Sequence, residues 1–324
     1  MSGTMQSLRI PRRRRVYQNH TIDSTHWDDF EPRHDDIVIA TPYKCGTTWT
    51  QGIVSSLVLG ECNVGASTWL DFRPQDAAKT RETLAQQEHR RFIKTHLPLD
   101  GLPWFRRTKY LVISRDPRDV FMSLFNHYHS YTDVAYEKFN ETPGRIGAPI
   151  PRCPDDIRQF WQSWISRGWF DWESEGYPYW SNLRHVQTWW DFRQLPNILF
   201  VHYNHLQADA PGQIRRIAAF LDLPADAATI TRVARETTID AMRNRAAVKE
   251  REAEVDTTGD AKARRVFRDG AHSFFYKGTN GRWREALTET DLELYETAAL
   301  RELTPECRAW VERGELDVEC SVVL

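Results

Sequence analysis

Residues 36–60 read DIVIATPYKCGTTWTQGIVSSLVLG, and this stretch decides the fold. Ile37 to Ala40 form a β-branched run of the kind that fills a buried strand, and an apolar series at helical spacing follows, Trp49, Ile53 and Leu57. Between them lies Lys44-Cys45-Gly46-Thr47-Thr48. A strand that feeds a helix through a loop with a glycine and a lysine offers an anion free backbone N–H groups and the positive end of a helix dipole. The loop is not the nucleotide motif G-x-x-x-x-G-K-[ST], because Lys44 precedes Gly46 and no other glycine lies between Ile37 and Gly46.

Outward from this unit, strands are expected at 91–95, 110–114 and 198–201, and helices at 77–88, 155–166, 181–191, 213–221 and 289–303. Asp116-Pro117 marks one further helix start, with Asp116 as N-cap and Val120, Leu124 and Tyr128 as its buried stripe. Alternating strands and helices predict an α/β fold. It is a single domain with a mostly parallel central sheet flanked by helices, organised by a P-loop-like strand-loop-helix. Ligands of such sheets bind beyond the carboxyl ends of the strands, which gathers Lys44, His96, Arg115 and Tyr203 at one edge. Residues 1–30 read as a poorly ordered arm and 31–324 as the domain. Residues 132–154 read as a long loop suited to a lid or binding role, and the charged stretch 250–270 as mobile.

Lys and Arg total 43 against 45 Asp and Glu, a balance that excludes nucleic acid as the main partner. The five cysteines, at 45, 62, 153, 307 and 320, are scattered without a C-x-x-C pair, which points to a reducing compartment with no disulfide framework and no metal site. His127, His129, His202 and His205 alternate between faces and read as packing or solvated residues rather than ligands. No apolar run reaches membrane-spanning length and no secretory h-region follows Arg12 to Arg15, so a cytoplasmic location is expected.

A lysine loop, a histidine, an arginine and a serine eight residues apart, and a tyrosine suit transfer of an anionic group. These residues resemble a family. TPYKCGTTW resembles the 5′-phosphosulfate loop of the cytosolic sulfotransferases, KTHLP their catalytic-histidine strand, and RDPRDVFMSLFNHY their 3′-phosphate strand and helix. FVHYNHL and TTIDAM are similar to the adenine-side segments, and FYKGTNGRW to the C-terminal glycine loop. The likeness runs from about Trp27 to Trp283.

The resemblance implies transfer of a sulfuryl group from 3′-phosphoadenosine-5′-phosphosulfate (PAPS) to a hydroxyl or amine of a small molecule, without a metal. It implies that Lys44, Cys45, Gly46, Thr47, Thr48 and Trp49 hold the phosphosulfate, and that Arg115, Ser123, Lys277 and Gly278 hold the 3′-phosphate. Tyr203 and Thr238 approach the adenine, His96 acts as general base, and Lys94 lies near the transferred group. Where the family carries Arg-Lys-Gly, Tyr276 replaces the arginine, so Arg282 or Arg268 is expected to supply the missing cation. Pro42-Tyr43 inverts the family's Tyr-Pro, and Cys45 stands in place of a serine. The family's dimer segment is matched only in part, by Arg284, Thr288, Glu289 and Glu293; a homodimer stays open. Two other readings also stay open: a catalytically silent nucleotide-binding protein, and a nucleoside-phosphate kinase-like phosphotransferase.

Overall fold

In the computed structural model, which describes residues 9–256 and 265–315, the run Ile37–Ala40 becomes β1 with all four side chains buried. It lies at the centre of five parallel strands in the order β2-β3-β1-β4-β5, where β2 is Thr68–Trp69, β3 Phe92–Thr95, β4 Lys109–Ser114 and β5 Ile198–His202. Ile37 pairs with Phe92 on one side and Lys109 on the other, so β1 is bonded along both edges. A strand buried on two faces and paired on two edges has no room for polar side chains, which is why the run is continuously apolar. Asp36, just before β1, is fully buried and held by Arg91 through two hydrogen bonds of 2.7 and 2.6 Å, a forked charge pair that fixes the start of β1 against β3.

Parallel neighbours require crossovers, and helices supply them. In chain order the helices are α1 (Thr47–Leu59), α2 (Ala77–Gln86), α3 (Pro117–His129), α4 (Asp133–Asn140), α5 (Ile157–Ser166) and α6 (Asn182–Trp190), all between strands, and then α7 (Tyr203–Ala208), which follows β5. They continue with α8 (Ala210–Phe220), α9 (Ala227–Glu236), α10 (Ile239–Asp256), α11 (Ala271–Phe274), α12 (Trp283–Ala286), α13 (Glu289–Glu302) and α14 (Pro305–Arg313). The cap of α3 is as expected, with the Asp116 carboxylate accepting from Arg118 N and Pro117 in the first turn. The chain builds β2 and β3 on one side of β1 and then β4 and β5 on the other. The reversal opens a crevice at the carboxyl ends beside β1.

Three expectations change. The segment read as a poorly ordered arm is built into the domain over its described part. Tyr17, Asn19, His20 and Ile22 are fully buried, the Tyr17 hydroxyl donates to Asp100, and Asp23 N donates to Asp71 O. It is an irregular strap whose backbone bonds to distant segments, so it carries no helical or strand period. The loop expected over 132–154 contains α4, which buries Ala135, Tyr136 and Phe139. Of the stretch expected to be mobile, 257–264 lies outside the described residues. Before it α10 continues to Asp256, and after it Phe267 forms a bridge with Tyr131. The described chain also ends on α14, whose Trp310 indole donates to Ser114 Oγ at 2.6 Å. Among the described residues no helix is long and apolar enough to cross a membrane.

Candidate active site

Five polar residues of the crevice are delivered by strand ends. Lys44 follows β1, Lys94 and His96 close β3, Arg115 follows β4, and Tyr203 follows β5. Apart from Cys45, every site residue assigned from the sequence lines one cavity of about 720 Å³ at this edge. Cys45 is fully buried, and its thiol lies 3.5 Å from Tyr43 O, so only its backbone is available to a ligand.

The loop geometry follows from two backbone angles. Lys44 has φ +60° and Gly46 φ +100°, so the chain bends twice through the left-handed region before α1 begins. A Cβ on Gly46 would meet the Tyr203 ring at 3.0 Å, so both the angle and the close approach call for glycine. No side chain caps α1 at Gly46, which leaves its first amides open to an anion. Trp49 and Tyr203 meet edge to face with ring centres 5.7 Å apart and form one wall.

His96 is oriented by the loop that carries Lys44. Its Nδ1 lies 2.9 Å from Thr41 O and 2.7 Å from Pro42 O; carbonyls only accept, so Nδ1 carries the hydrogen and Nε2 keeps its lone pair. The Thr41 hydroxyl lies 3.1 Å from the same Nδ1 and 2.7 Å from Thr47 Oγ1, joining the histidine to the first turn of α1. Burial, aided by Lys94, pushes the His96 pKa down to about 3, so the ring is neutral at neutral pH. Burial also lowers Lys44 to about 7, with Arg115 and Lys94 adding repulsion, and lowers Lys94 to about 8 against the partial support of Asp71. Several basic side chains gathered in one buried pocket suit an anionic ligand.

Arg115 reaches the C-terminal glycine segment. Its Nε and Nη2 donate to Asn280 Oδ1 at 2.9 and 2.6 Å, its Nη2 to Thr279 O at 3.0 Å, and its guanidinium lies 4.2 Å from the Tyr203 ring centre. Gly278 has φ +68°, and its carbonyl accepts from the Tyr203 hydroxyl at 3.0 Å. Arg282 lines the cavity with a buried Nε that has no hydrogen-bond partner among the described residues. Arg268 is absent from the cavity lining; its backbone N–H donates to Ser130 O.

The rest of the cavity is aromatic and abuts the cations: the Trp69 ring centre lies 4.1 Å from Lys94 Nζ and 4.9 Å from the His96 ring centre. Trp69 and Phe72 stack at 4.4 Å, with Phe139, Tyr179, Trp180 and Phe267 completing the wall. Sequence reasoning missed Thr21, Tyr179 and Trp180, which carry no motif. It also missed His127, which was read as packing or solvated but lines the cavity, with Nδ1 3.1 Å from Lys44 Nζ. The available signal was helical period: His127 lies one turn after Ser123, on the same face of α3.

Residues 34–304 match the sequence profile of the Sulfotransferase domain family. A glycolipid sulfotransferase of Mycobacterium bovis is 33% identical over 323 residues, covering 92% of this chain and 94% of the relative. The human sulfotransferase 1E1 is 27% identical over 234 residues, covering 68% and 71%. Among solved structures, a mouse sulfotransferase complexed with PAP superposes with a TM-score of 0.62 at 20% identity, covering 87% of this chain and 89% of the other. A retinol dehydratase in complex with androsterone and PAP superposes with a TM-score of 0.61 at 23% identity, covering 87% and 84%.

Proposed function

The chain belongs to the sulfotransferase family, and from that premise we infer that it moves a sulfuryl group from PAPS to a hydroxyl or amine of a small, largely apolar acceptor. The observation that carries this reading is the convergence of Lys44, Lys94, His96 and Arg115 on one crevice with an aromatic wall abutting them. The PAP in the ligand-bound neighbours supports the choice of donor.

In this reading the open amides of α1, with Thr47 and Thr48, hold the 5′-phosphosulfate, and Trp49, Tyr203 and Thr238 surround the adenine. Arg115, Ser123, Lys277 and the Gly278 backbone hold the 3′-phosphate, and Arg282 supplies the cation absent at Tyr276. Its unpartnered buried Nε supports that role over Arg268. The acceptor oxygen attacks sulfur in line as the bond from sulfur to the bridging oxygen breaks. His96 Nε2 takes the acceptor's proton, and Lys44 meets the negative charge that develops on the bridging oxygen. Little covalent work falls to the protein, so placement and charge dominate, as in phosphoryl transfer.

Transfer of labelled sulfate from PAPS to a panel of phenols, alcohols and amines tests the reading, with a parallel thermal shift in PAP. A stabilising shift without any labelled product makes the chain a silent binder. Arg282→Ala is expected to weaken PAP binding about tenfold, the scale of one charge-assisted hydrogen bond. Unchanged affinity by calorimetry removes Arg282 from the site.

A further inference from the structure

The side chain that touches Lys44 is not one of the residues matched to the family's site. His127 Nδ1 lies 3.1 Å from Lys44 Nζ. While Lys44 is an ammonium it has only hydrogens to offer, so Nδ1 then accepts, and the imidazole is the neutral tautomer with its hydrogen on Nε2. The ring is fixed on three sides, by Tyr131 at 5.3 Å, Phe267 at 4.8 Å and Phe274 at 5.7 Å between centres. Phe274 also lies 5.2 Å from Lys44 Nζ, so the ammonium is held between an acceptor nitrogen and a ring face. The other charges near Lys44 are cations: Arg115 after β4 and Lys94 in β3 both repel it. His127 is thus the hydrogen-bond acceptor set against that repulsion.

We propose that His127 is a positioning residue for Lys44: its neutral imidazole accepts from the ammonium, keeps it protonated among neighbouring cations, and aims it at the transferred group. The importance given to that aim rests on the sulfotransferase reading, but the hydrogen bond itself does not. Burial favours the neutral ring the role requires, and Lys44 repels a proton from it. A phenyl ring at this position would keep the packing and lose the acceptor. An asparagine would place its Oδ1 where Nδ1 now stands.

The test is competitive amine labelling of the nucleotide-free protein across pH 5 to 10, with the Lys44 peptide quantified by mass spectrometry. In His127→Phe the reactivity of Lys44 at pH 5.5, well below its pKa of about 7, is expected to rise about threefold, the effect of half a pKa unit lost with the acceptor. His127→Asn is expected to restore it. Unchanged reactivity in His127→Phe, or a change that His127→Asn fails to reverse, overturns the proposal. In PAPS turnover His127→Phe should lower kcat about tenfold with the KM for PAPS unchanged, the size of one orienting hydrogen bond, and His127→Asn should recover most of it. A wild-type protein that transfers no sulfuryl group defeats the functional reading alone, because the labelling still decides the role of His127.

Discussion

The two ends of the cavity are built in opposite ways. At the cationic end, Lys44, Lys94, His96 and Arg115 sit in or just after strands of one sheet, so ladder register sets their separation: Ala40 stands opposite Thr95 on one side and Val112 on the other. At the aromatic end, Trp69 and Phe72 belong to the β2 segment, Phe139 to α4, and Tyr179 and Trp180 to the turn before α6, while Phe267 follows α10. Trp69 is still set by the sheet, paired in register with Lys94, and Phe72 and Phe267 are each held by a single bridge, to Ile22 and Tyr131, whereas Phe139, Tyr179 and Trp180 are brought in by helix, turn and side-chain packing. In the proposed reading the sheet therefore places the chemistry, and acceptor choice falls largely to segments outside its ladders.

Substitutions at each end should act on different constants, and the largest effect belongs to the sheet. His96→Ala is expected to lower turnover of an aliphatic alcohol by about 10²–10⁴-fold, and much less for an acidic phenol that releases its proton unaided. Calorimetry should find PAP binding retained; a variant that loses both would merge functions the comparison keeps apart. Next, Lys44→Met is expected to cost about 10²–10³-fold in kcat, the scale of a lost oxyanion donor. An equal loss for every acceptor would tie the effect to the donor end.

The third test uses protons. In the free protein Lys44 holds its proton only up to about pH 7, whereas a bound polyanion favours the ammonium at higher pH. Nucleotide binding should take up more than one proton at pH 8, nearly one through Lys44 and about half through Lys94, and far fewer at pH 6, and affinity should fall at least about tenfold between those values. Calorimetry in two buffers of different ionisation enthalpy measures both. The smallest effect belongs to the aromatic wall: Phe72→Leu should raise the KM of a bulky acceptor by about three- to tenfold while the PAP dissociation constant stays put. A shift in PAP affinity of the same size would show that the two ends are not independent.

How much of this could be read beforehand follows the same division. β1, the lysine loop and α1 were legible because a strand, a turn and a helix announce themselves within a single window, and Asp116-Pro117 announced α3 by cap chemistry. β2 was not, since two residues have no period. The strap from Tyr17 to Trp27 was not, because its burial depends on Asp71, Asp100 and Pro178, all remote in sequence. The start of α14 was present as Thr304-Pro305, with Thr304 accepting from Cys307 N, and only its position beyond an apparently final helix hid it. His127 was hidden differently. Nothing local distinguishes a histidine on a helix face from a packing residue until the lysine opposite is in place.

The Thr41 hydroxyl gives the molecule a built-in gauge. Because it touches both Thr47 at the head of α1 and the His96 ring, filling the loop must be felt at the imidazole, whose nitrogen resonances respond to small changes in hydrogen bonding. A nucleotide titration followed by nitrogen NMR at that ring would register occupancy without an acceptor and without turnover. Inhibitors of the donor end could then be screened and ranked before any physiological acceptor has been identified.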